Sequence, residues 1–165
     1  MNQAPKTVES SPGASFPRAH AASRTARVLV VEDDAAMRML LEDTLREAGY
    51  KVTATGNALS ALIYVLAVRV DLVVSDWRMP DYNGLAFAAA LRRCRPDVPW
   101  ILISAFVDPV LLKDALRLRA SAVIDKPFRL ARLLDEMERA LAGPRNPGSS
   151  QPRRRCPRRA TYGCS

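Results

Sequence analysis

The 165-residue chain is poor in the features that mark secreted or membrane proteins. It has only three cysteines, Cys94, Cys156 and Cys164, and their spacing forms neither a disulfide framework nor a metal-binding pair. This excludes a cystine-stapled fold and suits a reducing compartment. Long apolar runs are absent as well. Nothing before Val28 supplies the core of roughly 7 to 15 apolar residues that a secretory signal needs. The longest nearly apolar stretch, Ala58 to Val68, falls far short of the roughly 20 residues that span a bilayer. A cytoplasmic protein without a membrane partner is expected. Net charge is missing where a folded nucleic-acid surface would need it. The formal charge is +8, yet residues 25–143 hold 16 basic and 16 acidic side chains, so the excess lies in the two ends.

Three segments follow from this distribution. Residues 1–24 are rich in Ala, Ser and Pro without periodicity and read as a disordered leader. Residues 144–165 read as a disordered Arg-rich tail, with five arginines among the seven residues Arg153–Arg159. Lacking interleaved aromatics and any folded DNA-reading motif, such a tail offers sequence-independent attraction to acidic partners and no specific DNA binding. Residues 25–143 have the size and apolar content of one domain.

Within that domain, strand patterns near 27–31, 51–55, 71–75, 99–103 and 121–124 alternate with helical patterns near 35–48, 57–68, 84–94, 109–119 and 128–142. The alternation predicts an α/β fold, a doubly wound five-stranded parallel sheet with helices on both faces. Several boundaries carry their own chemistry. Gly49 follows the first helix, Asn57 is placed to cap the second, Asp108-Pro109 to start the fourth, and Gly143-Pro144 to stop the fifth.

The chemistry gathers at the ends of the strands, where open α/β sheets place their sites. The run Leu72-Val73-Val74-Ser75 leads into Asp76, just before the turn-forming Met79-Pro80-Asp81-Tyr82-Asn83-Gly84. Val28-Leu29-Val30-Val31 leads into Glu32-Asp33-Asp34, which is open to two readings: a cation site, or a helix cap followed by an acidic first turn. Carboxylates from two neighbouring strand ends repel unless a proton or a cation lies between them, and hard oxygen ligands suit Mg²⁺. Ser104 ends the fourth strand, and Asp125-Lys126-Pro127 ends the fifth. A carboxylate nucleophile, acidic residues for a divalent cation, a lysine and a hydroxyl together make the parts of a phosphoryl acceptor.

From about Arg27 to Leu141 the chain resembles a response-regulator receiver domain of two-component signalling. The resemblance is carried by Val30-Val31-Glu32-Asp33-Asp34, by Asp76 with Met79-Pro80 and Asn83-Gly84, by Ser104-Ala105 and by Lys126-Pro127-Phe128, in the family's order. It implies a flavodoxin-like sheet with strand order 2-1-3-4-5. Asp76 would be the phosphorylated residue. Asp33 would be the direct Mg²⁺ ligand, Glu32 the acidic partner acting through water, and Arg78 the donor of a backbone carbonyl to the ion. Ser104 would follow the phosphoryl group and Lys126 would pair with it, with the Lys126-Pro127 bond cis. Asp34 would be left as a helix-start residue. The implied partners are a histidine kinase or phosphotransfer protein and a downstream target protein.

Two positions depart from the family pattern. Val123 stands where a Tyr or Phe usually acts as a switch, with Phe106 as a possible substitute, and Arg119 replaces the glycine that usually ends the fourth helix. Side chains at Arg78 and Phe106 are placed to obstruct attacking water, which predicts slow self-dephosphorylation. The second helix, Ala58 to Val68, has no charged residue, so Leu59, Ile63 and Tyr64 are expected to face outward and to offer a dimer contact. Only 22 residues follow Gly143, too few for an output domain, so a domain acting through protein partners is expected, catalytic only toward its own phosphorylation. Two other readings are an interaction module that is not phosphorylated and an aspartyl-phosphate phosphatase. The phosphatase would need an acid where Arg78 stands.

Overall fold

A computed structural model describes residues 26–79 and 84–143. The expected leader and Arg-rich tail, and the turn residues Pro80 to Asn83, lie outside the described residues. Five strands, β1 (Arg27–Val31), β2 (Lys51–Thr55), β3 (Leu72–Asp76), β4 (Trp100–Ser104) and β5 (Ala122–Asp125), alternate with five helices. The helices are α1 (Ala35–Glu47), α2 (Ala58–Ala67), α3 (Gly84–Cys94), α4 (Pro109–Arg117) and α5 (Leu130–Ala142). All strand pairs are parallel and the order is β2-β1-β3-β4-β5, as the resemblance implied.

The inner strands β1, β3 and β4 are largely apolar runs because both faces of the sheet are covered there. Alternate residues enter two cores. Leu29, Val31, Val73, Trp100 and Leu102 pack with Ala61, Val65, Phe87, Leu91 and Ala115 from α2, α3 and α4. Val28, Val30, Leu72, Val74, Ile101, Ile103 and Ile124 pack with Leu41, Leu45, Leu133 and Met137 from α1 and α5. The register then fixes which strand ends are neighbours. Val31 lies beside Ser75, Asp76 beside Ile103, and Ser104 beside Asp125. Beyond the strands, Glu32 N donates to Thr55 O, Trp77 N to Ile103 O and Lys126 N to Ser104 O, so the ladder carries on into the residues that line the site.

The predicted caps form. Asp34, Asn57 and Asp108 each accept a hydrogen bond from a backbone N–H three residues on, at 2.7, 2.8 and 2.7 Å, and Pro109 opens α4. Gly49 adopts φ 94° after α1. Two boundaries differ from the sequence reading by two residues, the others by at most one. α5 begins at Leu130 rather than near 128, after the cis Lys126-Pro127 bond and an extended Arg129.

α4 ends at Arg117 rather than near 119, and Arg119 takes the left-handed conformation, φ 54°. The arginine therefore keeps the backbone shape that a glycine would adopt freely, at about 1–2 kcal/mol. Other groups secure this end. Arg92 of α3 donates to the carbonyls of Leu118 and Arg119, each at 2.8 Å, and to those of Pro96 and Val98, while Trp100 Nε1 donates to Leu118 O. Burial, and then the nearby Arg119 charge, hold the Arg92 guanidinium below its ordinary pKa. Arg119→Gly removes both the backbone strain and this repulsion. It is expected to raise stability by about 1 kcal/mol, seen as a melting temperature higher by a few degrees; a lower melting temperature would contradict the assignment.

Candidate functional site

The site lies at the carboxyl ends of β1, β3, β4 and β5. Three of its polar groups are withdrawn from solvent: Glu32 is 1%, Asp76 7% and Ser104 1% exposed. Such burial is costly unless the charges are paired. Lys126 supplies the pairing, its Nζ lying 2.9 Å from Glu32 Oε2 and 3.1 Å from Asp76 Oδ1. One ammonium thus joins the ends of β1, β3 and β5.

Asp33 adds a third carboxylate. Oxygens of Glu32, Asp33 and Asp76 all lie within 4.8 Å of one another. Three carboxylates against one lysine leave net negative charge in a small space, and the donors are all hard oxygens. This set fits a small divalent cation such as Mg²⁺ better than a softer metal. Burial holds the Glu32 carboxyl above its ordinary pKa; the Lys126 hydrogen bond opposes that shift and the Asp76 charge adds to it. Burial works against the Lys126 charge, yet the Glu32 hydrogen bond and the two carboxylates outweigh it and hold the ammonium above its ordinary value.

Ser104 is occupied locally. Its Oγ donates to Phe106 O at 2.7 Å and accepts from Phe106 N at 3.1 Å, closing a small turn at the start of the loop into α4. Phe106 is 63% exposed, so it is not a packing residue of that loop. Val123 is half-buried against the core under α2, α3 and α4. Arg78 has an exposed side chain two residues beyond Asp76. Asp34 lies at the start of α1 as its cap and is not one of the clustered carboxylates.

Two further residues shape the site through backbone contacts that the linear chain does not reveal. Gly84, the first residue of α3, donates its N–H to Trp77 O, and a Cβ built there would come within 2.7 Å of Asp76 O. The close approach of α3 to the end of β3 therefore requires glycine. Arg38, in α1, donates from Nη1 to the carbonyls of Glu32 and Asp33. The Asn-Gly pair signalled a turn, but nothing in the linear chain connects Arg38 to the acidic residues.

The surface reading of α2 needs correction. Leu59, Ile63 and Leu66 are the exposed apolar residues, whereas Tyr64 is half-buried and its hydroxyl pairs with Thr53 Oγ1 at 2.9 Å. The phenol finds a polar partner on β2, which turns it toward the sheet, and Leu66 takes the outward place. Among the described residues no helix is long and apolar enough to cross a membrane.

The family model described as the response regulator receiver domain matches residues 28–138. The DNA-binding transcriptional regulator NtrC of Rhizobium meliloti is 38% identical over 120 residues, 73% of this chain and 25% of that protein. The chain thus spans about a quarter of the length of the NtrC relatives. The response regulator receiver protein CpdR of Brucella abortus is 34% identical over 115 residues, 70% of this chain and 96% of CpdR. Among solved structures, the response regulator TrrA of Thermotoga maritima in complex with Mg²⁺-BeF superposes with a TM-score of 0.65 at 30% identity, covering 71% of this chain and 100% of that one. The HemR receiver domain of Leptospira biflexa gives 0.69 at 30% identity, covering 73% and 98%.

Because the folded pKa of Glu32 lies above the ordinary 4.5, the folded state binds that proton more tightly than the unfolded chain. Ionised Glu32 costs stability at neutral pH, and the cost is relieved as pH falls through the folded pKa toward 4.5. Metal-free wild type should therefore gain stability relative to Glu32→Gln across that window. Urea unfolding in chelator at neutral and mildly acidic pH measures it, and a pH-independent difference is the contrary result.

Proposed function

The chain belongs to the response-regulator receiver family, and from that premise we propose that it accepts a phosphoryl group on Asp76 from the phosphohistidine of a histidine kinase or phosphotransfer protein, in the cytoplasm. The observation that carries this reading is Lys126 Nζ set between Asp76 and Glu32, with Asp33 in the same cluster. An Asp76 carboxylate oxygen attacks phosphorus. The phosphorus–nitrogen bond breaks as the new phosphorus–oxygen bond forms, and the departing imidazole nitrogen takes up a proton.

Each neighbour has a part in this transfer. Asp33, Asp76, the Arg78 carbonyl and, through water, Glu32 would hold Mg²⁺, which supplies positive charge to the transferred oxygens when bound. Lys126 keeps its proton and pairs with another phosphoryl oxygen. Ser104 exchanges its bond to Phe106 O for one to the phosphoryl group, since an anionic oxygen is the stronger acceptor. The chain turns over no foreign substrate in this reading and signals through a protein target. Arg78, where a second acid would serve a phosphatase, supports that choice.

Incubation with acetyl phosphate and Mg²⁺ should add the mass of one phosphoryl group, and Asp76→Asn should abolish the gain. An unmodified wild type with every donor would favour an interaction module instead, and continuous phosphate release from small substrates would favour a phosphatase.

The charge-free α2 suits a contact between two copies. Leu59, Ile63 and Leu66 recur at helical spacing, and a twofold axis through Ile63 would bring no like charges of α2 together. Ile63→Glu should shift a concentration-dependent dimer to monomer in size-exclusion chromatography; a wild type that is monomeric at every concentration removes this contact.

A further inference from the structure

Lys126 restrains Glu32 and Asp76, but its ion pairs do not extend to Asp33. The restraint on Asp33 comes from α1. Arg38 Nη1 donates to Glu32 O at 2.8 Å and to Asp33 O at 3.1 Å. These carbonyls belong to the two peptide units on either side of the Asp33 Cα. One guanidinium nitrogen therefore holds both peptide planes, and with them the direction of the Asp33 Cα–Cβ bond. Only the side-chain torsions of Asp33 remain free.

The guanidinium is itself backed by Gly56, in the loop between β2 and α2. A Cβ built on Gly56 would lie 3.1 Å from Arg38 Nη1 and 3.6 Å from its Cζ. Gly56 does not adopt a left-handed backbone, so space for Arg38 accounts for glycine here better than chain conformation does. The end of β2, next to Gly56, reaches the acidic segment through Glu32 N donating to Thr55 O at 3.1 Å.

We propose that Arg38, backed by Gly56, is a positioning residue for the cation: it sets the backbone around Asp33 so that the carboxylate meets Mg²⁺ together with Asp76. The inference rests on the reading of Glu32, Asp33 and Asp76 as a Mg²⁺ site. It assigns Arg38 no contact with the ion or the phosphoryl group. The planar guanidinium fixes the directions of the two N–H bonds of Nη1 toward these carbonyls, whereas a lysine at the same place keeps the charge on a freely rotating ammonium that does not fix them. Arg38→Lys thus separates orientation from electrostatics.

The test is a MgCl₂ titration of the full chain followed by tryptophan fluorescence, with Trp77 adjacent to Asp76, alongside melting in chelator. Arg38→Lys should raise the Mg²⁺ dissociation constant about tenfold, the lower end of what loss of a ligand-orienting partner causes. Gly56→Ala, which displaces the guanidinium without removing it, should shift the constant the same way by a smaller factor, and it carries the test alone if Arg38→Lys does not fold. Lower melting temperatures with an unchanged Mg²⁺ constant in the folded variants would show a merely structural arginine and overturn the proposal. A wild type that fails to bind Mg²⁺ saturably would overturn the metal reading and this inference together, a result distinct from unchanged variants.

Discussion

The site depends on one electrostatic requirement: two carboxylates buried at adjacent strand ends need a cation within contact distance. Lys126 meets it for Glu32 and Asp76 at 2.9 and 3.1 Å. Without that ammonium, two buried negative charges would stand close together in a poorly solvated pocket, which folded chains avoid by protonation or by drawing in a metal. Asp33 raises the demand beyond what one lysine supplies. That excess of negative charge makes Glu32, Asp33 and Asp76 a cluster that could hold a divalent cation.

Bringing these groups together is the work of the sheet register. Glu32 and Lys126 are 94 positions apart in the chain, and no local preference joins them. The inner strands β1, β3 and β4 are buried on both faces, so a slip of one residue would exchange their side chains between two differently shaped cores. The backbone bonds of Glu32, Trp77 and Lys126 carry the ladder past the last strand residues, so the same order extends into the loops. Chemistry placed one residue beyond a rigid strand is held with a precision that a free loop would lack.

The departures at Val123 and Arg119 fall on one side of this frame, around α4 and β5. The helix end survives the loss of glycine because Arg92 and Trp100 hold the carbonyls of Leu118 and Arg119. Valine at 123 packs into the core as an ordinary aliphatic residue, while the aromatic ring of the neighbourhood, Phe106, is exposed on a turn closed by Ser104.

Much of the fold was legible in the linear chain. Alternating apolar runs and helical spacing gave all ten elements, and Asp34, Asn57 and Asp108 marked helix starts because a cap bonds to an amide only three residues away. The acidic, hydroxyl and ammonium positions at four strand ends were legible too, since a parallel sheet collects its strand ends on one edge. Contacts between distant segments were not. The outward side of α2 was misread at Tyr64 because its hydroxyl bonds to Thr53 on another element. Gly84 was legible as part of a turn but its close approach to Asp76 O was not, and Arg38 was silent for the same reason: backbone atoms brought near by packing leave no pattern in side-chain identity. By itself the sequence determined the elements, their caps and the chemical content of the strand ends, because these follow from local periodicity and residue type. Only the tertiary structure decided which carboxylates share Lys126 and what holds Asp33 in place, because those distances are set by strand order, register and the approach of α1 and α3 to the sheet.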